Sequence, residues 1–252
     1  MTAARLGAEV NVSESTVVRF VMELGFEGYP EFQKSLQELI RSKLTAVQRV
    51  EVTNSLIGEG GDVIGKVLGM DIERIRRTNE GIDREAFSEA VSHISSAKNI
   101  YILGMRASSF LADFLNYGLR MIFDNVKHIQ TTSGNETFEQ LMSIGEGDVM
   151  IAISFPRYSK SIIKCVDFAK SAGAYVISLT DSAESPIATN SSQTLVAQSD
   201  MASFTDSLVA PMSVINALIV AVSRQNGELL SQRLRRLEEI WDEYNIYEKT
   251  EH

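Results

Sequence analysis

Short apolar runs alternate with longer amphipathic stretches over the second half of the chain. Turn residues bound each run, and helical patterns separate most of them. The predicted strands are Asn99–Leu103, Val126–Gln130, Asp148–Ser154, Ala174–Leu179 and Gln193–Ala197. Buried parallel strands have this continuous apolar character, so the pattern predicts an α/β fold with a five-stranded parallel sheet between helices. Right-handed crossovers make 2-1-3-4-5 the simplest strand order.

The first 30 residues instead place apolar side chains at helical spacing. Ser13 is a natural N-cap, so a helix is expected to begin at Glu14 and to end at Gly25. The expected apolar stripe consists of Val17, Val18, Val21 and Leu24. Two further helices are expected around it, a supporting helix over Thr2–Glu9 and one over Glu31–Lys43 that Pro30 opens. The pattern therefore predicts a small all-α domain.

The polar positions at the start of the second helix are those that a recognition helix presents to the major groove of DNA. The expected DNA-binding residues are Ser13, Glu14, Ser15, Thr16 and Arg19. A helical hairpin without a DNA role stays open, because a serine before a run of valines is also ordinary capping chemistry.

Three segments of this region carry a family resemblance, namely Thr2-Ala3-Ala4, Val12–Phe20 and Leu24–Pro30. They resemble the N-terminal domain of the RpiR family of bacterial sugar-phosphate-responsive regulators. The resemblance implies a transcriptional regulator with a DNA operator as its partner. Family members carry a further helix before this segment, so we expect the helix-turn-helix domain to lack its first helix.

Composition excludes several classes of protein. A net charge of -9 argues against a non-specific nucleic-acid coat, although not against a local DNA-reading surface. The single cysteine, Cys165, excludes a disulfide framework and is typical of a reducing cytoplasm. No apolar run reaches the roughly 20 residues of a membrane span. No histidine pair has metal-ligand spacing, so we expect a cytoplasmic protein without metal, cofactor or membrane partner.

Two polar loops follow the first and third predicted strands. The first contains Gly104, which permits close backbone approach, and the hydroxyls of Ser108 and Ser109. The second contains Ser154, Ser159 and the cation Arg157. Both loops lie at the carboxyl ends of strands, where α/β sheets bind ligands, so they predict a pocket for a phosphorylated ligand. The alternative is that these serines only cap helices.

The segment from Lys98 to about Arg224 is similar to the sugar isomerase, or SIS, domain, whose sheet is flavodoxin-like. In that family two serine-rich loops hold the phosphate of a phosphosugar. The resemblance implies contacts from Ser108, Ser109, Ser154 and Ser159. Many SIS domains have Ser-x-Ser-Gly-x-Thr in the second loop, whereas this chain has Pro156 there. We therefore expect either that the phosphate contacts are remodelled around Arg157 or that the pocket prefers another anion.

The expected domains are 1–50 for the helix-turn-helix domain, 51–97 for a helical linker, 98–225 for the SIS domain and 226–252 for a C-terminal helix. That last helix, expected over Glu228–Tyr247, is amphipathic. Its apolar side is expected to pack on the sheet domain or on a second subunit. Because a single short helix reads few base pairs, a homodimer or higher homo-oligomer on an inverted repeat is expected.

Three functions remain open after the sequence alone. The leading one is a DNA-binding transcriptional regulator that senses a phosphosugar. The second is a phosphosugar isomerase, which needs a positioned base; Glu136 and Glu139 are more simply helix-start carboxylates, so no catalytic residue is expected. The third is a dimeric sugar-phosphate sensor that has lost DNA binding.

Overall fold

The structure is a computed structural model that describes residues 2–33, 35–36, 44–57, 61–130, 134–200 and 204–247. The chain divides into two compact units. Unit 1 comprises Met1–Glu59 with Ser203–Thr205, and unit 2 comprises Gly60–Ala202 with Asp206–His252. The domain boundaries expected from the sequence, with the linker 51–97 between them, stay predictions.

The regular secondary structure of unit 1 is helical within the described residues. Helix α1 spans Ala3–Glu9, α2 spans Glu14–Glu23 and α3 spans Ala46–Ile57, while residues 29–33 and 35–36 are also helical. Its small core consists of Ala3, Val17, Val21 and Tyr29. The predicted helix Glu31–Lys43 falls partly on residues 34 and 37–43, which lie outside the described residues.

The bounds of α2 follow from its caps. The Ser13 hydroxyl accepts a hydrogen bond from the Thr16 amide at 3.2 Å, as the sequence predicts for an N-cap. At the other end Gly25 has a φ of 93° and its amide donates to the Met22 carbonyl, while the Phe26 amide donates to the Val21 carbonyl. This is a Schellman motif, in which the left-handed residue is most readily glycine.

The prediction of the apolar stripe is wrong at one position, Leu24. Val17 and Val21 are buried and Val18 is half-buried, but Leu24 remains 52% exposed. Leu24 is the C-cap of α2, so it stands where the chain turns away from the helix axis into Gly25. The stripe therefore ends one turn earlier than its spacing predicts.

Unit 2 is built on a parallel sheet of five described strands in the order β2-β1-β3-β4-β5. The strands are β1 Ile100–Gly104, β2 Val126–Ile129, β3 Val149–Ile153, β4 Tyr175–Thr180 and β5 Gln193–Val196. Five helices are interleaved with them or follow them, namely α6 Ala107–Arg120, α7 Gly134–Leu141, α8 Lys160–Ser171, α9 Val209–Gln225 and α10 Gly227–Glu243. Two helices precede the sheet, α4 Val63–Gly81 and α5 Arg84–Ser96. The predicted α/β class and strand order are confirmed.

Both faces of the sheet are covered by helices. Ile100 and Ile102 of β1 pack with side chains of α5, α6 and α9, whereas Tyr101 and Leu103 pack with α7 and α8. Cys165 lies fully buried in the second layer, where burial raises the pKa of its thiol to about 11. Cys165 therefore acts as a small apolar packing residue.

Two predicted helix boundaries are wrong. Helix α6 begins at Ala107, so Ser108 and Ser109 lie in its first turn and not in the loop that the sequence predicts. Helix α10 ends at Glu243 rather than Tyr247, because Asn245 takes a left-handed φ of 49° and the Ile246 amide closes a 3.0 Å bond to the Trp241 carbonyl. The residues of α10 are all at least partly exposed. None of the helices in the described ranges has the length and apolarity that a membrane crossing requires.

Candidate functional site

The carboxyl ends of β1 and β3 form the point where the strand order reverses. Gly104 at the end of β1 is in register with Ile153 at the end of β3. The chain leaves β1 towards β2 on one side and leaves β3 towards β4 on the other. In open α/β sheets such a divergence creates a crevice, which is the usual ligand site of the fold.

Gly104 allows the end of β1 to approach the first turn of α6. A Cβ atom at this position would lie 2.3 Å from the Ser108 carbonyl oxygen and 3.0 Å from the Ala112 Cβ. Between them, Arg106 takes a left-handed φ of 57° and occupies the N-cap position of α6 without a side-chain capping bond. The strand-to-helix turn is therefore tight, and the first amides of α6 are left without a side-chain cap.

The two serines of this turn differ in the use of their hydroxyls. Ser109 donates its hydroxyl to the Arg106 carbonyl at 2.7 Å. Ser108 is buried, with 7% of its surface exposed, and within the described chain its hydroxyl has no hydrogen-bond partner. Ser108 is therefore the serine of this turn whose hydroxyl is available to a ligand.

The loop after β3 brings a second set of hydroxyls to the same edge of the sheet. Ser154 is 2% exposed, and across the described residues its hydroxyl likewise makes no hydrogen bond. Ser159 is the N-cap residue of α8 but makes no side-chain capping bond; its hydroxyl contacts the Met105 sulfur at 3.4 Å. Arg157 is exposed to solvent. The Ser159–Met105 contact joins the loops after β1 and β3.

A tyrosine and an aspartate that the sequence analysis did not single out position this second loop. The Tyr158 hydroxyl donates to the Asp181 carboxylate at 2.7 Å, and the Thr180 hydroxyl donates to the same oxygen at 3.2 Å. Asp181 directly follows β4, so the bond fixes the loop after β3 to the neighbouring strand. The residues are 23 positions apart, and no sequence pattern marks their pairing.

The edge therefore offers donors suited to an anion. Helices α6 and α8 both start there without a side-chain cap, and the amides of an uncapped helix N-terminus favour negative charge. The hydroxyls of Ser108 and Ser154 add uncommitted donors. Over the described ranges no group of three or more His, Cys, Asp or Glu side chains is placed to hold a metal ion.

The candidate DNA-reading surface lies on α2. Ser13, Glu14, Ser15 and Arg19 are exposed, whereas Thr16 is half-buried and shares its hydroxyl with Ser13 at 2.8 Å. Ser13 and Thr16 therefore also stabilise the helix start. The spacing did not single out Phe20, which is 55% exposed beside Arg19.

The two carboxylates considered as catalytic bases, Glu136 and Glu139, are exposed on α7. The Glu136 backbone carbonyl accepts a bond from the Gln140 side chain, which also binds Gln130 at the end of β2. This network holds the start of α7 against the edge strand. Both carboxylates stay exposed to solvent at this edge.

Comparison with known proteins agrees with this architecture. The SIS domain model matches residues 93–221, just over half of the chain, and the model of the rpiR-family helix-turn-helix domain matches residues 1–43.

An uncharacterized HTH-type transcriptional regulator from Clostridium perfringens is 29% identical over 185 residues, 72% of this chain and 64% of the relative, so the chain spans less than two thirds of that protein. The HTH-type transcriptional regulator HexR from Escherichia coli is 26% identical over 248 residues, 94% of this chain and 81% of HexR.

A solved structure extends the likeness to the fold of almost the whole chain. The NanR protein of Vibrio vulnificus, complexed with ManNAc-6P, superposes with a TM-score of 0.63 and 22% identity over 97% of this chain and 86% of NanR. At that identity the likeness concerns the fold. With both family models matched in the expected order, the chain belongs to the RpiR family of transcriptional regulators, in which a helix-turn-helix domain precedes a SIS domain.

Proposed function

We propose that this regulator binds a DNA operator through α2 and a phosphosugar at the ends of β1 and β3. The observation that carries the ligand is the pair of buried serines, Ser108 and Ser154, whose hydroxyls have no partner in the described chain. A hydroxyl that makes no bond within the protein keeps its hydrogen-bonding capacity for a ligand.

A phosphate is the anion that fits these donors. Its oxygens accept bonds from hydroxyls and from amides at the starts of α6 and α8, where no side chain caps the helix, and charge-assisted bonds of this kind are among the stronger ones in proteins. Arg157 is exposed on the loop after β3. Its guanidinium offers positive charge and hydrogen-bond donors beside Pro156, which has no donor of its own. The ManNAc-6P bound by NanR supports a phosphosugar as the ligand class.

The DNA contacts are assigned to the exposed start of α2. Ser15 and Arg19 carry hydrogen-bond donors for base edges and phosphates. Ser13 and Thr16 stabilise the start of the helix, and Glu14 lies beside them. Since α2 has ten residues, one copy reads a short site, which favours a homodimer on an inverted repeat. The capped α1–α2 pair argues against a sensor that has lost DNA binding.

A non-catalytic role is favoured over an isomerase. Isomerisation of a phosphosugar needs a base positioned to move a proton between neighbouring carbons. Glu136 and Glu139 are both exposed to solvent on α7, where helix-start carboxylates are common. We expect no interconversion of hexose or pentose phosphates by the purified protein.

Thermal unfolding with ManNAc-6P, glucose 6-phosphate and the unphosphorylated sugars tests the ligand. At least one phosphosugar should raise the unfolding temperature, and the double variant Ser108→Ala with Ser154→Ala should lower its affinity at least tenfold, since two bonds to a charged group are lost. Ser92→Ala, an exposed serine of α5, is the matched control. An unchanged response of the double variant would refute the pocket.

Selection from a random DNA library, followed by fluorescence anisotropy, tests the operator. Arg19→Ala should weaken binding of the selected site about tenfold or more, because a good base contact contributes roughly 1–3 kcal/mol. Arg224→Ala, an exposed arginine of α9, should bind like the unmodified chain. Equal affinity of the Arg19 variant would remove α2 as the reading helix.

A further inference from the structure

A second depression in unit 2 lies away from the ends of β1 and β3. It is a groove of about 530 Å³ between the last turns of α6 and the middle of α10. Asn116, Arg120 and Met121 line one side, and Arg233, Arg236 and Leu237 line the other. Neither family resemblance nor the proposed function accounts for it.

The groove is lined by arginines in a chain with a net charge of -9. Three of its lining side chains are arginines, and among the described residues no carboxylate lines it. Arg233 is fixed in place, since its guanidinium donates to the Met121 carbonyl at 3.2 Å, to the Arg120 carbonyl at 3.3 Å and to the Asp124 carboxylate. These bonds cap the end of α6 and hold α10 against it.

The other two arginines are available to a ligand. Within the described chain the Arg120 side chain makes no hydrogen bond and no ion pair. Arg236 pairs with Glu239 one turn along α10, with the two side chains 71% and 66% exposed. An exposed pair of this kind contributes little, so a ligand can displace it. Arginine suits phosphate and carboxylate because its donors form a planar fork.

Asn116 contributes a hydrogen-bond acceptor to the groove, whereas the arginines contribute donors. Its side-chain carbonyl oxygen is buried and has no hydrogen-bond partner in the described structure. A buried acceptor needs a donor, which an anionic group does not supply but a hydroxyl does. Leu237 and Met121 line the same groove with apolar surface, which suits the carbon skeleton of a small organic molecule.

We propose that this groove is a second binding site, for a small hydroxylated anion such as a sugar phosphate or a sugar acid. The anionic group lies between Arg120 and Arg236, and a hydroxyl donates to the Asn116 carbonyl oxygen. The groove is separate from the proposed phosphosugar pocket at the ends of β1 and β3, which we call the first pocket. Arg120 lies twelve residues beyond Ser108 on α6, roughly 18 Å along the helix.

The single tryptophan provides a local signal for the test. Trp241 is the only tryptophan in the sequence and lies one turn beyond Leu237 on α10. Its fluorescence should change when the full chain is titrated with glucose 6-phosphate or gluconate, and should not change with sorbitol, a neutral polyol. Inorganic phosphate should bind more weakly than glucose 6-phosphate because it cannot also reach Asn116.

Variants separate this site from the first pocket. Arg120→Gln with Arg236→Gln should lower the affinity reported by Trp241 at least tenfold, and Arg235→Gln on another face of α10 should leave it unchanged. Asn116→Leu should lower affinity for glucose 6-phosphate and leave that for inorganic phosphate unaltered. Ser108→Ala should leave the Trp241 titration intact, so failure of the first pocket is distinguishable from failure of this one.

Three results would overturn the proposal. The first is an unchanged titration of the double arginine variant while thermal unfolding shows it folded. The second is an equal loss for Arg235→Gln, which would indicate non-specific charge. The third is a change from dimer to monomer in the groove variants without any change in binding, measured by light scattering, which would make this face a subunit contact.

Discussion

Helices α2 and α6 both begin beside serines, and the two units use those serines differently. In unit 1 the Ser13 hydroxyl accepts the Thr16 amide and the helix start is closed. In unit 2 the start of α6 has no side-chain cap, and within the described chain the buried Ser108 hydroxyl has no partner. The same residue type is thus hydrogen-bonded at the start of α2 and without a hydrogen bond at the start of α6.

The difference separates groups that stabilise the fold from groups reserved for a ligand. A capping hydroxyl contributes about 1 kcal/mol to folding. A hydroxyl that makes no bond within the protein contributes no such stabilisation and keeps its donor for a ligand. Ser109 belongs with Ser13, because its hydroxyl is bonded to the Arg106 carbonyl. Stability measurements on the free protein therefore distinguish these serines before any ligand is known.

The largest expected effect is at Gly104, which sets the distance between β1 and the turn that carries Ser108. Gly104→Ala places a Cβ 2.3 Å from the Ser108 carbonyl oxygen, so α6 must shift. Overpacking of this kind should lower the free energy of unfolding by about 1–3 kcal/mol, measured by urea unfolding.

Gly145→Ala is the matched control for that change. Its added Cβ meets no atom closer than the Ala172 carbonyl oxygen at 3.6 Å, an ordinary contact. We expect no measurable loss of stability there. A Gly104 variant as stable as the Gly145 variant would contradict the close approach of strand and helix on which the pocket depends.

The next effect is at Ser13 in unit 1. Ser13→Ala removes the hydroxyl that accepts the Thr16 amide and should destabilise α2 by about 1 kcal/mol. Amide hydrogen exchange at Thr16 should accelerate, by roughly fivefold on that energy. Met22→Ala, an exposed position at the other end of the same helix, should change exchange at Thr16 little. Equal exchange in both variants would show that Ser13 is not the cap.

The smallest effects compare the two serines at the start of α6. Ser109→Ala should cost about 0.5–1.5 kcal/mol because it loses the bond to the Arg106 carbonyl. Ser108→Ala should cost little in the ligand-free protein, since the hydroxyl makes no hydrogen bond in the described structure. Urea unfolding measures both, and a larger loss at Ser108 would reverse the assignment.

The sheet was predictable because its strands are uniform in character. Each is a short apolar run between turn residues, and the observed strands begin and end within one residue of the predicted ones. The caps of α2 were predictable for a related reason, since Ser13 and Gly25 act on backbone only a few residues away. Features of this kind depend only on residues that are close together in the sequence.

Contacts between distant segments were not predictable. Tyr158 and Asp181 are 23 positions apart, and Arg233 reaches the Arg120 carbonyl across 113 positions. The left-handed Arg106, which moves the start of α6 to Ala107, has no marker in the sequence because arginine rarely takes that conformation. The different hydrogen bonding of the Ser108 and Ser109 hydroxyls depends on the conformation of that turn, so it is visible only in the structure.

The strand order also has a consequence for how the chain folds. Strand β1 pairs with β3 through Ile100 and Val149, which are 49 positions apart, whereas the core of unit 1 joins Ala3 to Val17 and Val21. Closing a longer loop costs more chain entropy, and folding slows as contacts become less local. During synthesis from the N-terminus, α1 and α2 therefore pack early. The apolar strand β1 stays without its second neighbour until β3 has left the ribosome, and that interval is when the nascent chain is most exposed to aggregation.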